Sequence, residues 1–143
     1  VKAFFDTSVL VALFKVDHVH HAASYATVER QLPRQICCSA HSLAEVYSSL
    51  TRMPPPNRTS PERAILFVTD LRERLNPVAL ESEEIFEALC DFAATGITGG
   101  AIYDGLLARC ALKAKADVIY TWNVRDFERI GPEVARRIRL PAL

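Results

Sequence analysis

Apolar residues in this chain fall into short runs that alternate with longer amphipathic stretches. Ala3 to Phe5 reads as a short buried strand, and Ser8 as the N-cap of a helix carrying Val9, Leu10, Leu13 and Phe14. His20 to Gln31 reads as a second helix and Ile36 to Ser39 as a second buried strand. Leu43, Val46, Tyr47 and Leu50 recur at helical spacing from Ala40 to about Arg52, where Met53-Pro54-Pro55-Pro56-Asn57 stops the helix. Ser60-Pro61-Glu62 opens another helix, striped by Ile65, Val68, Leu71 and Leu75.

Pro77 to Leu80 reads as a third strand. Ser82 caps a helix that Thr95-Gly96 ends. Ala101 to Lys115 is helical, Val118 to Thr121 is the clearest strand, and Trp122 to Asp126 reads as a turn. Phe127 to Arg136 is mixed, and Ile138 to Leu140 reads as a last strand. Strands alternating with helices along one uninterrupted stretch predict an α/β fold with a mainly parallel sheet, one domain over residues 1–143.

Composition narrows the class without naming a function. Half of the 143 residues are hydrophobic, enough for a proper core. Seventeen basic and seventeen acidic residues cancel, so only local patches bear on a nucleic-acid partner. Cys37, Cys38, Cys90 and Cys110 form no C-x-x-C pair and read as four reduced core thiols. No apolar stretch is long enough to span a bilayer, and no signal-peptide layout opens the chain. We therefore expect a cytoplasmic protein that does not enter membranes.

Four acids stand where a parallel sheet would gather them. Asp6 follows the first strand directly, at the sheet edge where ligands bind in open α/β folds. Glu45 lies in the helix after the second strand, among small and apolar neighbours. Asp104 interrupts an otherwise uncharged stretch, Ala101 to Ala108. Asp126 follows the last clear strand, within Thr121-Trp122-Asn123-Val124-Arg125-Asp126-Phe127. Each has an ordinary explanation: a turn, a solvated helix face, or a favourable helix dipole for Asp104. Together they repel one another unless a cation neutralises them. Metal-assisted hydrolysis of a phosphodiester is the chemistry that such a set suits.

Asp6-Thr7-Ser8, Glu45, Asp104 after a glycine-containing loop, and Thr121-x-Asn123-x-x-Asp126-Phe127 occur in the order seen in PIN-domain nucleases, and the whole chain resembles the VapC-type toxins of bacterial toxin–antitoxin pairs. The resemblance implies a three-layer α/β/α fold and a ribonuclease using Mg²⁺ or Mn²⁺. It implies a homodimer held inactive by a VapB-type antitoxin. It implies catalytic roles for Asp6, Glu45, Asp104 and Asp126, with Asp6 and Asp104 foremost among the metal ligands. Ser8, Thr121 and Asn123 would support the carboxylates or hold water. Many relatives carry an acid where this chain has Asn123, which leaves Asn123 and Asp126 as alternatives for the fourth acidic position.

In that light Arg125 and Arg129 are candidate RNA contacts, with ordinary surface as the alternative. His18, His20 and His21 read as surface histidines. Pro54-Pro55-Pro56 and the flanking helices, with Val46 and Ile65, are the candidate antitoxin groove. An aspartyl-nucleophile phosphatase needs a second acid two residues after the first, where this chain has Ser8. A receiver domain needs a paired acid beside Asp6, which is missing. The remaining alternative is a catalytically silent PIN-like module that binds RNA or protein.

Overall fold

Successive residues of the strand Ala3–Phe5 (β1) face opposite sides of a sheet, and each side has its own core. The computed structural model describes all residues, 1–143. Four more strands follow: Ile36–Ser39 (β2), Asn76–Val78 (β3), Val118–Tyr120 (β4) and Ile138–Arg139 (β5). They form one sheet in the order β3-β2-β1-β4-β5, with every pairing parallel. The register pairs Phe4 with Cys37 on one side and with Ile119 on the other.

Phe5, Ala3, Ile36 and Cys38 pack under the helices Thr7–Phe14 (α1), His21–Glu29 (α2), Ala40–Thr51 (α3) and Pro61–Arg74 (α4). Phe4, Cys37, Ile119 and Ile138 pack under Ala101–Lys113 (α6), Val124–Glu128 (α7) and Pro132–Ala135 (α8). The helix Ser82–Thr95 (α5) packs on α6. This is the expected three-layer α/β/α arrangement. Buried on both faces, the strands need continuous apolar runs, which is why Ala3-Phe4-Phe5 and Ile36-Cys37-Cys38 carry no alternation.

Most element boundaries follow local chemistry. Ser39 accepts from the His41 N–H and starts α3; Ser60 accepts from Arg63 N–H, with Pro61 behind it, and starts α4. Glu81 and Glu84 form a reciprocal capping box, so the cap of α5 is Glu81 and Ser82 is its first helical residue. Gly96, at φ 81°, closes α5 in the left-handed conformation.

Other expectations need correction. Asp6 is the cap residue of α1, and Ser8 lies inside the helix because its hydroxyl is turned back to the Asp6 carboxylate. The turn expected at Trp122 to Asp126 becomes helix from Val124, held down by the fully buried Phe127. Cys37, Cys38 and Cys110 are buried thiols, but Cys90 is exposed on the outer side of α5. Val46 is wholly buried on the core face of α3, so of the two residues expected in an antitoxin groove only Ile65, about half exposed, is on the surface.

Sheet order places the site. The chain builds outward from β1 to β2 and β3, then returns to add β4 and β5 on the other side of β1. The order reverses between β1 and β4, and a crevice opens at the carboxyl ends of these two strands. Asp6 directly follows β1 and Thr121 directly follows β4. The N-terminal turns of α3 and α6 reach the same edge, because one helix leaves it and the other returns from it.

Candidate active site

Asp6 is almost fully buried, yet two hydroxyls satisfy one of its oxygens. Ser8 Oγ and Thr121 Oγ1 each donate to Asp6 Oδ2 at 2.8 Å. Each hydroxyl also accepts a backbone N–H from the loop after β4: Trp122 N–H to Ser8 Oγ at 3.0 Å, and Asn123 N–H to Thr121 Oγ1 at 2.9 Å. The two hydroxyls thus tie the loops after β1 and β4 to one carboxylate. Both bond the same oxygen, which leaves Oδ1 clear of them. Burial pushes the Asp6 pKa up; the hydroxyls of Thr121 and Ser8 and the N–H groups of Thr7 and Ser8 oppose that push.

A second polar link holds Glu45. Thr7 Oγ1 lies 3.0 Å from Glu45 Oε1 and 2.8 Å from Ser42 Oγ. Thr7 is in the first turn of α1, so α1 and α3 share a polar contact just above the core where Val9, Leu10 and Val46 pack. Asp104 enters from the first turn of α6. Its pKa is pushed up to about 6, first by burial, then by the negative charges of Asp6, Asp126 and Glu45, with Arg129 pulling the other way.

Asp6, Glu45, Asp104 and Asn123 line one cleft of about 580 Å³, together with Thr7 and Ser8. Asp126 is near enough to raise Asp104, but its half-exposed side chain pairs with Arg129 at 3.5 Å and does not line the cleft. Of the two alternatives for the fourth position, Asn123 is therefore the one on the cleft wall. Arg125 and Arg129 are exposed beside it.

No three His, Cys, Asp or Glu side chains stand close enough to form a ready-made metal-binding group. That arrangement still suits magnesium, which takes one or two protein carboxylates and keeps several of its waters. The donors at hand are hard carboxylate oxygens, and the one most raised by its neighbours, Asp104, gains most from an added positive charge. Asp6 and Asp104, with Glu45 beside them, therefore fit a hard divalent cation.

Several residues here are not read as site residues from the sequence: Thr7 is given no role, and His18 and His20 are read as surface histidines. Thr7 sits in the quoted Asp6-Thr7-Ser8 run, but only the fold brings it to Glu45. His18 and His20 belong to the cleft wall, and the His20 ring stacks on Trp122 with centroids 3.7 Å apart and planes 10° apart. The adjacent histidines were visible in the chain, but nothing local says that the α1–α2 loop folds back over the loop after β4.

Comparison with known proteins bears on the family and the fold. The family model described as PIN domain matches residues 3–132. The chain is 38% identical over 133 residues to ribonuclease VapC40 of Mycobacterium tuberculosis, covering 90% of this chain and 94% of that one. It is 36% identical over 135 residues to ribonuclease VapC27 of the same organism, covering 90% and 92%. The crystal structure of the M. tuberculosis toxin VapC20, described as cleaving the sarcin–ricin loop, superposes with a TM-score of 0.70 over 87% of this chain and 92% of that one. At 16% identity that likeness concerns the fold.

Proposed function

This chain belongs to the PIN-domain family, and we propose that it is a metal-dependent endoribonuclease that acts as the toxin of a VapBC pair. The observation that carries the reading is the junction of Asp6 with Ser8 and Thr121 at the reversal of strand order, with Glu45 and Asp104 in the same cleft. The similarity to ribonucleases VapC40 and VapC27 over nine-tenths of the chain supports it.

Asp6 and Asp104 would hold Mg²⁺ or Mn²⁺, with Glu45 completing the acids of the cleft and Asp126 adding negative charge from beside it. A bound cation would polarise the scissile phosphate, lower the pKa of an attacking water and stabilise the leaving oxygen. The protein's own part is largely preorganisation. Ser8 and Thr121 fix the Asp6 carboxylate through Oδ2, so Oδ1, which neither hydroxyl bonds, needs no reorientation to meet a ligand. Thr7 fixes Glu45 in the same way. Asn123, neutral and on the cleft wall, supplies an amide to position water or phosphate without adding charge. Arg125 and Arg129 would take flanking phosphates.

The silent-module reading is not favoured. A binding module has no need to collect three carboxylates in one cleft, where they repel both each other and RNA phosphates. The expected partners are the RNA substrate, a VapB-type antitoxin and a second copy of the chain. No helix is long and apolar enough to cross a membrane.

The test is to map RNA 5′ ends in cells expressing the wild-type chain, Asp6→Asn or Asp104→Asn. New discrete ends with the wild type alone support the proposal. Identical end profiles in all three would contradict it.

A further inference from the structure

The cleft has an acidic wall and an aromatic one, and the acids account for the first alone. The cleft is also lined by His18, Val19 and His20, from the loop between α1 and α2, and by Trp122, from the loop after β4. This wall is built, not incidental. Trp122 is held at both ends: its indole N–H donates to Ser24 Oγ at 2.9 Å, and its backbone N–H donates to Ser8 Oγ at 3.0 Å. Ser24 is fully buried in α2. His20 lies flat on that fixed indole. The His20 backbone N–H donates to His18 Nδ1 at 3.0 Å, which leaves the proton of a neutral His18 ring on Nε2 as a donor. Burial, and after it the neighbouring His20, push the His18 pKa down.

The same wall is tied to the acids. Ser8 Oγ accepts from Trp122 N–H and donates to Asp6 Oδ2. One hydroxyl therefore fixes the distance between the aromatic wall and the carboxylate. Val19, 86% exposed, projects at the lip of the cleft, where a core residue would be buried. Flat rings beside a charged site are how single-stranded nucleic acid is held, because every base offers a π-face.

We propose that the His20–Trp122 stack is the platform for an unpaired RNA base next to the scissile phosphate, with His18 contacting that nucleotide through its ring N–H. The inference deepens the ribonuclease reading and rests on it. It makes the substrate an unpaired segment, because a base inside a duplex cannot stack on a protein ring. His18 and His20 are then residues that bind and select substrate rather than residues that cleave it.

Binding and cleavage test this separately. Binding is read as fluorescence anisotropy of a labelled single-stranded RNA pool of random sequence, in EDTA, with the full chain. His20→Ala should weaken binding by about ten-fold, within the range that one base–aromatic stack supplies. His20→Phe, which keeps a flat ring, should bind like wild type. In Mg²⁺, His20→Ala and His18→Ala should raise KM, leave kcat nearly unchanged and blur the nucleotide preference beside the cut. A His20→Ala chain that keeps its fold by circular dichroism and binds like wild type would overturn the proposal. So would His20→Phe binding as weakly as His20→Ala. If wild type fails to cleave in Mg²⁺ while the binding difference persists, the nuclease reading falls and the platform is supported.

Discussion

Thr121, directly after β4, donates its hydroxyl to Asp6, directly after β1, at 2.8 Å. The two residues are adjacent in space because β4 pairs directly with β1, 115 positions away in the chain. The bond joins the two halves of the sheet at the point where its strand order reverses, so fold and site are fastened by the same atoms.

Removing that hydroxyl should harm chemistry more than stability. Thr121→Val keeps the volume but takes one donor from a buried carboxylate. We expect activity to fall by about 10- to 100-fold, the usual cost of losing a partner that orients a ligand. The fold should lose about 1–3 kcal/mol, measured by urea denaturation. Ser8→Ala should behave alike and also loosen Trp122, whose N–H bonds that hydroxyl.

Asp104 makes metal binding depend on pH. With its pKa near 6, it is mostly protonated at pH 5 and must release that proton to bind a cation. Mn²⁺ affinity measured by calorimetry should therefore rise as pH climbs through about 6, with about one proton released per ion at the acid end. An affinity independent of pH between 5 and 7.5 would remove Asp104 from the ligand set.

The same shift sets a stability difference without metal. A carboxyl whose folded pKa exceeds its unfolded value favours folding at low pH, and that advantage is lost as pH rises from 3.8 through about 6. Metal-free Asp104→Asn should thus match wild type near pH 4 and be more stable by about 1 kcal/mol near pH 7, the shift being discounted for partial exposure. Adding Mn²⁺ should stabilise wild type and leave Asp104→Asn nearly unmoved.

Gly105 is required for a different reason. A Cβ there would meet the Phe92 ring at 2.5 Å, so α5 and α6 can only pack this closely over a glycine. Gly105→Ala should cost about 1–3 kcal/mol through overpacking and shift the neighbouring Asp104. Phe92→Leu in the same chain should recover part of the loss.

Asp126 and Asn123 should separate by mutation. Asp126 pairs with Arg129 and stands off the cleft wall, whereas Asn123 lines it. Cleavage assays should show Asp126→Asn much milder than Asp104→Asn. Asn123→Asp, which adds a carboxylate at the wall, should tighten Mn²⁺ binding.

Much of this was legible in the chain. Buried strands announce themselves as Ala3-Phe4-Phe5 and Val118-Ile119-Tyr120, and Ser39, Ser60 and Gly96 mark helix ends by their own chemistry. The acids stood out because Glu45 and Asp104 interrupt apolar neighbourhoods. What stayed hidden depends on tertiary contact. The Ser8 hydroxyl can cap a helix or turn back to Asp6, and only the arrival of Trp122 N–H decides between them. A short helix at Val124 is invisible until Phe127 has a core to enter. Three nearby histidines look like surface until Trp122 comes to lie beneath one of them. Cys90 shows the converse: an apolar-looking helical pattern whose outer side simply faces solvent.

The central claim is that Asp6 and Asp104 act together, through a cation, to cut RNA. The most direct measurement incubates the purified wild-type, Asp6→Asn and Asp104→Asn chains with structured RNA in Mg²⁺ or in EDTA. The account predicts cleavage by the wild type in Mg²⁺ alone, with both variants at background. Cleavage that survives EDTA, or that both variants retain at the wild-type rate, would contradict it.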